Sequence, residues 1–317
     1  MSRRSRSFAA DGATRWRRRV SFALVVVVAA ALVAVTLRGG WRALHRRAGR
    51  RTVAILDLAN RAPRADDAWL ATALADIVTV TLGHSDRLRV LDGDRVAEAV
   101  RRLDPRALAQ PDAETLAKLR RLLDADLVIG GGYTVADDGA LALELHASDE
   151  ARAVVVRESG APSGVFGVFG VALAGAQQLR RQLGDADLDD QDARAVLAMM
   201  PANVDAARAY AEGVSRWRAG RVAEAREHFE RAIASDPQYA AAQLALARAQ
   251  AWLGYARRAR EAATRALALS DGLPRVARLA TAAYAAELDG EVARAVDLLR
   301  VELLRSRALL GLGDYAR

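Results

Sequence analysis

The sequence predicts three structural parts in order: one transmembrane helix, a mixed-sheet α/β domain and an all-α domain of helical repeats. The first rests on an uncharged apolar run of eighteen residues near the amino terminus. The second rests on short β-branched runs that alternate with amphipathic helical patterns, as in a sheet covered by helices. The third rests on glycines and alanines that recur at a spacing of 34 residues.

The apolar run covers residues 20–37, and its length as a helix, roughly 27 Å, nearly matches a bilayer core of about 30 Å. A cleaved signal peptide is the alternative, but it has a shorter apolar stretch and ends at a small-residue site. We therefore expect an uncleaved signal anchor between a basic cytoplasmic tail at 1–19 and a basic juxtamembrane linker at 38–51. Seven arginines precede the run and six follow it, so the expected orientation rests on Arg17–Arg19 beside the helix. This predicts a single-pass protein of the bacterial inner membrane, with a cytoplasmic amino terminus and with residues 52–317 in the periplasm.

The distribution of charge argues against a nucleic-acid partner. The chain has a net charge of +8, but residues 1–51 alone carry +12, which leaves −4 for residues 52–317. Phosphate binding needs basic side chains gathered on the folded surface. The chain has no cysteine, which excludes disulfides and thiolate metal sites, and its arginine- and alanine-rich composition indicates a GC-rich bacterial genome.

Residues 52–185 alternate strand and helix patterns in the order β-α-β-α-α-β-β-β-α. Asp94 and Asp112 stand where two of the helices are predicted to begin, because an aspartate side chain caps free backbone N–H groups at that position. A turn at Asp137–Gly139 joins two strands as a hairpin. This order predicts a mixed sheet with helices packed on it.

Three stretches of this domain resemble the amino-terminal TolB-like (FlgO-like) domain of bacterial envelope and signalling proteins: VAILDLAN, RLRVLD and LDADLVIGGGYTVADDGALALELH. The resemblance implies a non-catalytic module, as found in receptor-type serine/threonine kinases and related regulators, where it precedes tetratricopeptide repeats. The glycine run Gly130–Gly132 does not fit a phosphate-binding loop, because it lies within a strand and no lysine is near. Close strand packing or a bulge is expected there.

An acidic linker and the start of the helical part occupy residues 186–203. Five aspartates lie between positions 183 and 192, but a calcium loop needs glycine at its sixth position and glutamate at its twelfth. Counted from Asp185, those positions hold Asp190 and Val196. The aspartates are therefore expected to be solvated or to cap helices.

The repeat pattern fills residues 204–317. One full unit at 206–239 resembles the tetratricopeptide consensus at its small, aromatic and proline positions, and a second unit at 240–273 keeps most of them. A degenerate unit at 276–305 and a partial one at 306–317 follow. The residues assigned to the repeat scaffold are Gly213, Gly220, Ala225, Phe229, Ala232, Pro237, Ala247, Gly254, Ala259 and Ala266.

No motif in the sequence points to catalysis. The four histidines are scattered among different elements, and no zinc-protease, nucleophile-elbow or kinase signature occurs. We therefore expect no enzyme activity, no cofactor and no metal site. A small-molecule enzyme would need a polar pocket with convergent acidic groups within residues 52–185.

The combination predicts a membrane-anchored scaffold that binds a protein or peptide partner in the groove of its repeats. The first helix of each unit should line this groove. For Trp217, packing between the two helices of its own unit is the alternative. A second hypothesis is the sensor portion of a transmembrane signalling protein that lacks its output domain. The candidate partner-binding residues are Tyr210, Arg216, Trp217 and Gln250.

Overall fold

The structure is a computed structural model, and it describes five segments of the chain: residues 50–62, 65–103, 111–150, 153–160 and 164–309. The predicted membrane span at 20–37 lies outside these segments. Within the described segments, no helix is both long enough and apolar enough to cross a membrane.

The α/β region is built on one mixed sheet of six described strands. They are β1 (Arg51–Ile55), β2 (Ala59–Asn60), β3 (Leu88–Val90), β4 (Leu127–Val135), β5 (Leu141–Ser148) and β6 (Ala153–Gly160). β1 pairs in parallel with β3 on one side and with β4 on the other, and β2 also pairs in parallel with β4. β4, β5 and β6 are antiparallel neighbours. The mixed sheet predicted from the sequence is therefore confirmed.

Helices cover both faces of this sheet. They are α1 (Leu70–Gly83), α2 (Gly93–Val100), α3 (Ala113–Leu123) and α4 (Gly164–Gln182). Val53 and Ile55 of β1 are buried with α1 and α4, whereas Ala54 between them is buried with α2 and α3. This division follows from the alternation of side chains along a strand.

Aspartates cap the helices on the second face, and one predicted cap is wrong by two residues. Asp92, and not Asp94, caps α2, because its carboxylate accepts the backbone N–H of Asp94 at 2.8 Å. Asp112 caps α3 as predicted and accepts the N–H of Thr115 at 2.8 Å. The side chain of Asp94 is consequently left to bond elsewhere.

The glycine run lies inside β4 and serves close strand packing, as the sequence predicted. A Cβ added at Gly131 would overlap the backbone oxygen of Glu144 in β5. A Cβ at Gly132 would lie 2.9 Å from the backbone oxygen of Ala59 in β2. A side chain at either position would therefore push the strands apart.

The acidic segment after α4 contains a short helix, α5 (Asp190–Ala198). Asp189 caps it by accepting the backbone N–H of Asp192 at 2.7 Å. The buried Arg180 of α4 lies 3.1 Å from Asp185 and donates to the backbone oxygen of Thr81 at 2.9 Å. This segment is therefore tied to both α4 and α1.

Three helical hairpins follow. Their helices are α6 (Val204–Arg218), α7 (Val222–Ser235), α8 (Ala240–Trp252), α9 (Ala256–Ala268), α10 (Arg275–Leu288) and α11 (Val292–Leu309). Gly220, Gly254 and Gly290 close the three hairpins with φ values of 76°, 83° and 81°, a left-handed conformation that glycine adopts without steric cost. The helical repeat region predicted from the sequence is present.

The last helix differs from the expectation. A further repeat was predicted to begin at Ser306, but residues 306–309 continue α11. No glycine or proline interrupts the helix between 292 and 309, so the sequence gives no signal to stop it. Residues 310–317 lie outside the described segments.

The first hairpin shares a hydrophobic core with the α/β region. Ala207 and Ala211 of α6 are buried in the same cluster as Leu74 and Ile77 of α1. Because both alanines are small, the two helices approach closely. This contact places the groove-facing side of α6 against α1, one of the helices that cover the sheet.

Candidate functional site

The scaffold of the first hairpin is set by small residues against one aromatic ring. A Cβ added at Gly213 would lie 2.5 Å from Cε1 of Phe229, which is itself buried. Ala225 and Ala232 of α7 have no exposed surface. The scaffold residues of the second hairpin are arranged in the same way, with Ala247, Ala259 and Ala266 buried and Gly254 in the turn, and Pro237 follows the end of α7.

Three of the four predicted partner-binding residues make contacts within the repeats. The ring of Tyr210 packs on Phe229 and Tyr239, with centroid distances of 5.9 and 5.0 Å. Arg216 lies 3.4 Å from Glu224 across the turn of its own hairpin. Gln250 is buried, and its Oε1 has no hydrogen-bond partner among the described residues. These contacts favour scaffold roles for Arg216 and Gln250, and their binding role stays a prediction.

The last turn of α6 bonds directly to the α/β region. The indole N–H of Trp217 donates to Oδ2 of Asp94 at 2.9 Å. The guanidinium of Arg218 donates to Asp57 and to Asp76, both at 3.0 Å, and its Nε lies 3.9 Å from Asp94. We call these five side chains the junction cluster. Trp217, predicted to bind a partner, thus bonds to another part of its own chain.

The junction cluster holds one cation among three carboxylates. Burial raises the pKa of Asp76 to about 6 against the opposing effect of Arg218, and the nearby Asp57 carboxylate adds to the rise. Burial also opposes the charge of Arg218, but Asp76 and Asp57 outweigh it and raise the pKa of the guanidinium. Gly93 makes the approach possible, because a Cβ there would overlap Arg218. The Asp76 carboxyl group therefore has a pKa well above its ordinary value.

A cleft of about 250 Å³ opens beside the junction cluster. Ile77 of α1 and Tyr210 and Val214 of α6 form part of its wall, and Asp76 and Arg248 supply polar groups. Apolar walls with a few convergent polar groups are typical of binding clefts. The cleft marks the place where the α/β region stops covering the groove-facing side of the repeats.

Beyond the cleft, α8 presents side chains that the described part of the α/β region does not cover. The guanidinium of Arg248 lies over the ring of Tyr284 in α10, 5.6 Å from its centroid. Trp252 follows one turn later on the same side of α8, and 68% of its surface is exposed. Among the described residues, neither Arg248 nor Trp252 has a carboxylate partner. We call Arg248, Trp252 and Tyr284 the open groove.

Comparison with known proteins agrees with the hairpin geometry. Residues 216–283 match the tetratricopeptide repeat family. The match runs from the end of α6 into α10, so it spans the turns at Gly220 and Gly254.

Comparison with solved structures also gives a match. The crystal structure of MamA protein is similar at 20% sequence identity, over 46% of this chain and 77% of that chain, with a TM-score of 0.26. Agreement at this level supports no statement about the fold of the whole chain. No curated protein matches the chain.

Sequence reasoning named two residues of this site and missed the others. Tyr210 and Trp217 were found because they lie on the groove-facing side of the first helix of a repeat. Arg218 and Arg248 share that side, and the 34-residue register could have identified them. Nothing in the sequence singles out Asp76, because its role depends on how α1 packs against α6.

Proposed function

We propose that this protein is a non-catalytic scaffold that binds a protein partner through the groove of its tetratricopeptide repeats. The observation that supports the proposal is the open groove, where Arg248 lies over the half-buried Tyr284 and the exposed Trp252 follows one turn along α8. Tryptophan, tyrosine and arginine are the residue types that contribute most to binding at protein interfaces. The exposed indole of Trp252 lies on a groove-facing helix, where it is available for such a contact.

The α/β region is proposed to support this groove and not to catalyse a reaction. Its convergent carboxylates, Asp57, Asp76 and Asp94, are those of the junction cluster, and each is engaged by Arg218 or Trp217 of the first repeat. Acids held in this way fix the position of a domain. The TolB-like resemblance of this region agrees with such a supporting role.

We further propose that residues 20–37 anchor the scaffold in a bacterial inner membrane, with the repeats on the periplasmic side. An alkaline phosphatase fused after Arg317 should then be active in a bacterial host, whereas a cytoplasmic reporter at the same site should be inactive. The reverse pattern would overturn the orientation.

The scaffold function is tested by photo-crosslinking in the full chain. An aromatic photo-crosslinking amino acid replaces Trp252, and the protein is irradiated in its native bacterium. We expect a covalent adduct with a second polypeptide. The matched control places the same amino acid at Arg257, whose side chain is 83% exposed on α9 of the same repeat. Absence of an adduct at 252, or equal adducts at both positions, would contradict the proposal.

A further inference from the structure

We propose that the open groove binds an acidic, amphipathic helical segment of the partner, recognised through its carboxylates by Arg248 and Trp252. This inference rests on the scaffold function proposed above and adds the chemical class of the partner. It follows from what the neighbouring repeat already binds within this chain.

The first repeat shows which chemistry its groove-facing side recognises. Its indole donor, Trp217, bonds to Asp94, and its guanidinium, Arg218, bonds to Asp76 of α1. The helix α1 that lies against this repeat also brings apolar side chains, Ile77 and Val80, to the cleft wall. The first repeat therefore holds one carboxylate of α1 with apolar side chains beside it, and a second carboxylate from the first turn of α2.

The same two donor types recur one repeat later. Arg248 lies 34 residues after Val214, and Trp252 lies 34 residues after Arg218, so both occupy equivalent positions in the next repeat. Val214 and Arg218 line the cleft, which identifies these positions as groove-facing. The second repeat thus offers an indole N–H and a guanidinium on the side where the first repeat binds acids. Charge-assisted hydrogen bonds to carboxylates are the strong contacts that such donors make.

The surrounding charge favours an acidic partner. The first helices of the second and third repeats, α8 and α10, contain three arginines and one acidic residue, whereas residues 52–317 as a whole carry a net charge of −4. Arg257 is paired with Glu261 at 3.0 Å, whereas Arg248 lies over the face of Tyr284 and has no carboxylate partner among the described residues. A local positive field of this kind attracts acidic segments and repels basic ones.

The open groove is also prepared for binding. The stacking of Arg248 on Tyr284, at 5.6 Å, holds the guanidinium in one place before a partner arrives. Trp252 supplies an apolar surface next to it, so a bound helix can bury leucine-like side chains beside its carboxylates. The stacking of Arg248 reduces the conformational entropy that binding would otherwise cost.

The probe is a fluorescein-labelled synthetic helix of alternating Glu and Leu faces, with a second peptide in which every Glu is replaced by Gln. Binding to the full-length chain is followed by fluorescence anisotropy. We expect the Glu peptide to bind about tenfold more tightly than the Gln peptide, and Arg248→Gln or Trp252→Ala to weaken it about fivefold or more. The control Arg257→Gln removes the same charge from α9 and should change binding less than about twofold. Raising the salt concentration from about 0.05 to 0.5 M should weaken only the Glu peptide.

Equal affinity for the two peptides, no binding of the Glu peptide, or an equal loss in Arg257→Gln would overturn the inference. The salt dependence of the wild-type chain decides the question even if a variant folds poorly. If the Glu peptide fails to bind while the photo-crosslink at Trp252 persists, the assignment of an acidic partner is wrong and the scaffold function stands. If both fail, the scaffold function fails as well.

Discussion

Replacing Arg218 with alanine is expected to destabilise the folded chain by about 2–3 kcal/mol. Breaking a fully buried ion pair by removing one partner costs about 3–5 kcal/mol, because the other charge is left uncompensated. The Arg218 side chain is 15% exposed, but its partners Asp76 and Asp57 are 29% and 50% exposed, so water moderates the loss. The expected value therefore lies below that range.

The assay is unfolding in urea, followed by tryptophan fluorescence and circular dichroism. Urea is uncharged and so does not screen the ion pairs under study, as guanidinium chloride would. Asp76→Asn in the Arg218→Ala background should restore about 1 kcal/mol, because it removes one of the carboxylates left without a cation. The matched control Arg257→Ala breaks an exposed pair with Glu261 and should cost less than about 0.5 kcal/mol. If Arg218→Ala costs no more than this control, the junction cluster does not hold the two regions together.

Three further predictions concern the same framework. Burial raises the pKa of Asp76 from 3.8 to about 6, so folding favours its protonated form. Its contribution to the free energy of unfolding, about 1–3 kcal/mol, should be full below pH 4 and lost as the pH rises through 6. In urea titrations at several pH values, Asp76→Asn should abolish this dependence of the free energy of unfolding on pH. An unchanged dependence would contradict the role assigned to Asp76. Ala225→Glu places an unpaired charge at a position with no exposed surface and should cost about 3 kcal/mol or more, whereas an unchanged melting curve would refute the assigned packing. Gly213→Ala should cost about 1–3 kcal/mol by crowding Phe229, and a wild-type melting temperature would show that the helices can separate freely.

The position of the α/β region has a consequence for partner binding. It covers the groove-facing side of the first repeat through Ala207, Trp217 and Arg218, so the proposed partner would reach the repeats at α8 and α10. Weakening the junction cluster would uncover Trp217 and Arg218 as well. Variants of Arg218 are therefore poor choices for measuring the affinity of the open groove.

The sequence by itself determined the local structure of both regions. Short apolar, β-branched runs placed five of the six described strands, and aspartates marked two helix starts to within two residues. A 34-residue spacing located Gly220 and Gly254 in the first two hairpin turns. These features depend on backbone conformation and on neighbours a few residues away, which a single sequence encodes directly.

Only the tertiary structure decided which surface of the repeats is open. Trp217 bonds to Asp94 across 123 positions of the chain, and Arg218 bonds to Asp76 and Asp57 across 142 and 161. No local pattern records such pairs, because they depend on how the sheet, α1 and the first hairpin pack around one core. The same packing leaves Trp252 exposed while it covers Trp217, although both lie on the groove-facing side of a first helix. The open groove therefore lies on α8 because the α/β region covers α6.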